Sequence, residues 1–118
     1  MAVNLTTIVI DSNDPPSLTG FWQSVLGWPV IDRQDDEWLE IGPPDRSATT
    51  VLIQRVPEPK QGKNRLHLDV SPSASTQEDE LQRLLGLGAS QVDIGQGDET
   101  WVVLADPEGN EFCLLAPR

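Results

Sequence analysis

Apolar residues recur along this chain with two different periods. Leu18, Phe21, Trp22, Val25 and Leu26 fall at i, i+3, i+4, i+7 and i+8, the spacing that gathers side chains on one face of a helix. Asn13 or Asp14 offers a capping oxygen, Pro15 suits the first turn, and Gly27 suits a left-handed stop. A second helical stretch opens with the capping-box pattern Ser75-Thr76-Gln77-Glu78. It carries Leu81, Leu84 and Leu85 on one face and can close at Gly86 or Gly88. The remaining apolar positions alternate with polar ones and are punctuated by Pro, Gly and Asp, which reads as strands and turns.

The two helical stretches sit in a repeated context. A strand precedes each one (Leu5 to Asp11 and Arg65 to Val70), each ends in Leu-Gly, and a Trp follows in the next strand but one. Gly27 and Gly88 are 61 residues apart, and Trp38 and Trp101 are 63 apart, so two copies run in register to within a two-residue insertion. Each copy closes on a last strand, Thr50 to Val56 or Glu111 to Leu115. The order β-α-β-β-β therefore occurs twice, with modules at about residues 3–58 and 63–117 of one domain, 1–118, and polar Lys60-Gln61-Gly62-Lys63 between them. The acidic run Gln34-Asp35-Asp36-Glu37 reads as a solvated hairpin tip, and Asp106-Pro107-Glu108-Gly109-Asn110 reads as a turn in which Gly109 or Asn110 takes a positive φ.

Composition narrows the partners. At 118 residues one compact core is enough. A formal net charge of -11 and a sequence pI near 4.2 give a negative surface field, which argues against nucleic acid or an anionic membrane as partner and favours a cationic or neutral guest. No apolar run approaches the ~18 residues of a membrane span, and the opening Met-Ala-Val-Asn lacks a secretory pattern, so a cytoplasmic protein is the expectation. The single cysteine, Cys113, fits a reducing compartment.

Four motifs in this order carry a family resemblance: Phe21-Trp22 followed by Leu26-Gly27-Trp28; Asn64-Arg65-Leu66-His67-Leu68-Asp69; Leu87-Gly88-Ala89; and Asp106-Pro107-Glu108-Gly109-Asn110-Glu111-Phe112. Together they make the chain resemble the glyoxalase-like domains of the vicinal oxygen chelate superfamily, which also includes bleomycin-resistance proteins and dioxygenases. The resemblance implies an α+β fold of two tandem βαβββ modules that form an open cup-shaped mixed sheet with the helices outside. It also implies a homodimer. It fixes architecture more than chemistry, because the superfamily includes isomerases, dioxygenases, transferases and non-catalytic drug binders.

Strand alternation then predicts which residues face such a cup. Thr7, Val9 and Asp11 come from the first strand, Trp38 and Glu40 from the third, and Leu52, Gln54 and Val56 from the fourth. Arg65, His67 and Asp69 come from the fifth, with Leu66, Leu68 and Val70 turned to the helix. Trp101 and Val103 come from the seventh strand, and Glu111, Cys113 and Leu115 from the eighth. The candidate ligand-binding residues are Thr7, Trp38, Glu40, Gln54, His67, Asp69, Trp101 and Cys113. Trp38 and Trp101 either stack on a planar guest or fill the core; Trp22 and Trp28 read as core. His67 either acts as acid-base, oriented by Asp69 and with Glu111 or Glu40 nearby, or hydrogen-bonds a ligand, or only satisfies the strand interior.

The resemblance also implies metal ligands on the first, fourth, fifth and eighth strands, positions that fall here on Thr7, Gln54, His67 and Cys113. Only His67 is a usual ligand. With one histidine in the chain, the two-histidine-one-carboxylate arrangement cannot form within a protomer. A weaker site built on His67 and Glu111, with Cys113 or Gln54 as a further ligand, is the remaining metal reading, and no cofactor is the expectation. The leading function is therefore a metal-independent protein that binds or sequesters a small molecule. A lyase or isomerase using His67, and a non-catalytic dimerisation module, are the alternatives.

Overall fold

The structure is a computed structural model and describes residues 1–92 and 100–118. It divides into two compact units, Met1–Pro59 and Lys60–Arg118.

In the first unit β1 (Thr7–Ser12) leads into α1 (Pro15–Leu26), followed by β2 (Val30–Gln34), β3 (Trp38–Ile41) and β4 (Thr50–Arg55). Helix α1 starts where the sequence predicts. The Asp14 side chain accepts the Ser17 N–H, Pro15 and Pro16 occupy the first helical positions, and Gly27 ends the helix at φ 70. Leu18, Phe21 and Trp22 are buried on the face that meets β3 and β4, and the Phe21 and Trp22 rings meet edge to face at 5.3 Å. The strands order as β1-β4-β3-β2, with β1 parallel to β4 and the other pairs antiparallel. The predicted hairpin tip lies between β2 and β3, with Asp35 in the left-handed region at φ 47.

The second unit repeats the plan. β5 (Leu68–Val70), α2 (Gln77–Leu87), β6 (Ser90–Gln91), β7 (Val102–Ala105) and β8 (Glu111–Leu114) give the order β5-β8-β7-β6, with β5 parallel to β8. Thr76 caps α2 by accepting the Asp79 N–H, one residue later than the predicted box, and Gly88 closes it at φ 117. Leu81 and Leu84 are buried, and Gln77 Nε2 ties the helix to the sheet through the Thr100 and Leu114 carbonyls at 2.9 and 3.1 Å. Asp106 is buried and organises the predicted turn, accepting from the Glu108 and Asn110 amides while Gly109 takes φ 88. The fold is thus α+β, its eight described strands split into two four-stranded mixed sheets.

Several strand boundaries differ from the expected ones: β1 begins at Thr7 rather than Leu5, and β4 and β8 each end one residue early. β5 begins at Leu68, three residues after Arg65, because Asn64 Oδ1 takes the Glu111 N–H at 2.9 Å where a longer β5 would continue the ladder. Leu66, expected against the helix, is consequently 86% exposed. β7 begins at Val102, which leaves Trp101 just ahead of the strand and partly exposed.

Candidate functional site

The register of the first sheet sorts its side chains into two faces. Ile10, Leu39, Ile41, Val51 and Ile53 point to the α1 side, and Ile41 and Ile53 have no solvent exposure. The opposite face is built in rows across three strands. Trp38, Gln54 and Asp11 form one row, Glu40, Leu52 and Val9 the next, and Thr50 with Thr7 the third. No helix of this unit covers that face: Val9 is 50% exposed, and Asp11 and Gln54 are exposed.

Glu40 is the buried charge of this face, only 6% exposed. Arg46 grips its carboxylate with two bonds, Nη1 to Oε2 at 2.9 Å and Nη2 to Oε1 at 3.1 Å. The Thr50 hydroxyl donates to the same Oε2 at 2.5 Å. The Arg46 hydrogen bonds, opposed by burial and aided by Thr50, hold the Glu40 carboxyl below the usual carboxylate range. Thr7 Oγ1 lies 2.9 Å from Thr50 Oγ1 and extends the network to β1. Gly42 makes room for it, since a Cβ there would stand 2.7 Å from Thr50 Cγ2. Sequence reading chose Glu40 and missed Arg46, which comes from the Pro43-Pro44-Asp45 turn with a left-handed φ of 56. No periodicity marks such a residue.

Two further polar contacts shape the outer row. Gln54 Nε2 donates to Asp11 Oδ1 at 3.0 Å, and Trp38 Nε1 donates to Gln34 Oε1 at 3.1 Å. A depression of about 390 Å³ at the end of β4 is lined by Asn13, Glu37, Arg55, Val56 and Pro57. Its polar groups are spent on each other, with Asn13 donating to the Val56 and Glu58 carbonyls and Arg55 to the Asn13 and Asp36 carbonyls. That depression is a structural corner, and the sheet face is the better candidate.

In the second unit His67, Asp69 and Cys113 converge. Asp69 and Cys113 pair across the parallel ladder, and His67 Nε2 lies 3.1 Å from Asp69 Oδ1. Cys113 is buried, and its thiol is pushed up by burial, by the Asp69 charge and hydrogen bond, and by the Glu111 charge. Glu111 is engaged elsewhere, its Oε1 2.5 Å from Lys63 Nζ. Lys63 reads as linker in the sequence, so this pairing had no signal there. Trp101 stands ahead of β7 at 36% exposure, and Val103 faces Cys113 in the register.

The same geometry tests the implied metal. Among the described residues, His67, Asp69 and Cys113 are the one group of three ligating side chains whose donor atoms fall within 4.8 Å of one another. Imidazole, carboxylate and thiol together suit a soft divalent ion such as zinc. Of the four positions the resemblance names, Thr7 is bonded to Thr50 and Gln54 to Asp11, so only the fifth- and eighth-strand positions contribute, and Asp69 replaces the rest.

Among the described residues, no helix is long and apolar enough to cross a membrane. A comparison with curated protein sequences finds no match. Solved structures do resemble the chain. A glyoxalase/bleomycin resistance protein/dioxygenase family enzyme from Burkholderia phytofirmans is 18% identical, with 95% of this chain and 97% of that one covered and a TM-score of 0.74. A mutant of the fosfomycin resistance protein FosX from Listeria monocytogenes, solved with Mn(II) and 1S,2S-dihydroxypropylphosphonic acid, is 17% identical, with 100% and 93% covered and a TM-score of 0.73. A possible glyoxalase from Bacillus cereus is 13% identical, with 98% and 100% covered and a TM-score of 0.70. At these identities the likeness concerns the fold. The family model for the glyoxalase-like domain matches residues 7–115, from the first residue of β1 to just past β8, and the chain belongs to that family.

Proposed function

We propose that this protein binds or sequesters a small molecule without a metal, and that its guest rests on the open face of the first sheet. One observation carries the reading. The sheet buries Ile41 and Ile53 completely on its helix side, yet leaves Val9 half exposed and Leu52 and Trp38 half-buried beside polar Thr7, Asp11 and Gln54 on the other. Apolar area with a few oriented polar groups is what a small-molecule site needs. The metal-free part rests on the engagement of Thr7 and Gln54 with protein partners and of Glu111 with Lys63. Sequestration rather than turnover is supported by the same pairing, which engages Glu111, the candidate acid-base partner of His67.

A thermal-shift screen tests this reading, because a guest at a hundredfold excess over its Kd adds about 2.7 kcal/mol of stability. The expected result is a hit that Trp38→Ala weakens and that is recovered chemically unchanged. Turnover that His67→Ala abolishes would overturn it in favour of a lyase or isomerase. We also propose a homodimer, which light scattering checks.

The convergence of His67, Asp69 and Cys113 favours a second reading, in which those three side chains hold a soft divalent ion. Such an ion would supply Lewis-acid polarisation of a bound oxygen. Elemental analysis of untagged protein purified without chelator separates the two. Metal-free binding predicts less than half an equivalent per chain, and stoichiometric zinc surviving dialysis would establish the second reading.

A further inference from the structure

The hydrogen-bond polarity of the open face specifies the chemistry of its guest. In the outer row, the Trp38 indole N–H is already given to Gln34 and one Gln54 amide N–H to Asp11. In the inner row, Thr50 gives its hydrogen to Glu40 at 2.5 Å, so the 2.9 Å contact between the two threonines takes its hydrogen from Thr7. These donors are turned inward. What the face offers outward is mostly acceptor: the Gln54 carbonyl oxygen, the Thr7 lone pairs, the Asp11 carboxylate and the indole π face.

Charge points the same way. The register puts Asp11, Asp32 and Glu40 on this face, with Arg46 as the cation bonded there to Glu40. Among the described residues, Asp11 has a hydrogen bond from neutral Gln54 and no cation partner. Val9 and Leu52 lie two residues along their strands from Asp11 and Gln54, roughly 7 Å away at the rise of a strand.

We propose that the open face of the first sheet takes a small organic cation, with its ammonium or amidinium group on Asp11 and the Gln54 carbonyl and its apolar body over Val9 and Leu52 beside Trp38. The inference rests on the small-molecule reading above and narrows it to one charge class. A carboxylate or phosphonate guest would face Asp11 without a donor to meet it. A neutral donor could hydrogen-bond the Asp11 carboxylate but would bring no opposite charge to it.

Three probes with similar bodies test it by amide NMR titration of the whole chain: 2-phenylethylammonium, 2-phenylethanol and 3-phenylpropanoate. The ammonium should shift resonances around Asp11, Gln54 and the Trp38 indole, and should bind roughly twofold to fivefold tighter than the alcohol, the margin an exposed ion pair supplies. The carboxylate should bind weakest. Asp11→Asn, at an exposed position, should weaken the ammonium more than the alcohol and so remove the ammonium's advantage. Binding of all three probes to this face with equal affinity, or an Asp11→Asn variant with unaltered preference, would overturn the cation inference and leave the small-molecule reading standing. Failure of every probe to perturb the face at tens of millimolar would overturn both.

Discussion

Asp69 and Cys113 face each other across the parallel ladder of β5 and β8, and the carboxylate so placed helps keep the thiol protonated. Burial is the larger cause, and the Asp69 charge adds to it. A thiol alkylates through its thiolate, so Cys113 should react slowly with iodoacetamide near neutral pH. Asp69→Asn removes both the charge and the hydrogen bond that Asp69 contributes and should speed the reaction. An unchanged rate would leave burial and the Glu111 charge as the causes.

Glu40 makes stability depend on acidity. Its folded pKa is lowered, first by Arg46, so the contribution is present above the unfolded value, about 4.3, and is lost as the pH falls through the lower folded value. Arg46→Gln raises the folded value, and its acid unfolding should begin at higher pH than in the parent. Melts followed by circular dichroism across the acid range check this. Coincident acid transitions would show that the Thr50 and Thr7 hydroxyls, and not Arg46, set the Glu40 titration.

Gly42 is predicted to be intolerant of a single added methyl group. A Cβ at 42 would lie 2.7 Å from Thr50 Cγ2, and Thr50 cannot retreat without loosening its bond to Glu40. Gly42→Ala should cost about 1–3 kcal/mol, the usual range for overpacking. Chemical denaturation measures it, and the double variant with Thr50→Ser, which removes the struck methyl, should recover most of the loss.

The tryptophans should separate by role. Trp22 is 1% exposed and packed on Phe21, so Trp22→Ala should cost about 3–5 kcal/mol. Trp38 keeps one side open on the sheet face, so its replacement should cost less and show mainly in ligand affinity. Equal losses of stability would make both indoles core.

Much of the fold is legible in the sequence because its signals are local. The Asp14 cap, the Pro15 start and the Gly27 stop of α1 depend on neighbours a few residues away. Alternation likewise puts Thr7, Val9 and Asp11 on the same face as Leu52 and Gln54, because a strand has a fixed period. The polar partners are less legible. Arg46 reaches Glu40 from an irregular turn, Lys63 reaches Glu111 from 48 residues away, and Asn64 ends β5 by spending its side chain on a backbone amide. Each is a polar side chain choosing one partner among several, which periodicity does not encode. The exposure of Leu66 follows from the last of these.

The two ladders share no strand, and every strand pairing described lies within 1–59 or within 60–118. A backbone break between Pro59 and Lys60 would therefore sever no inter-strand hydrogen bond of either sheet. What the peptide bond there supplies is proximity, the effective concentration that a short tether confers on the pieces it joins. In this chain the covalent continuity of the two halves belongs to mass action, and the topology of each half is complete without it.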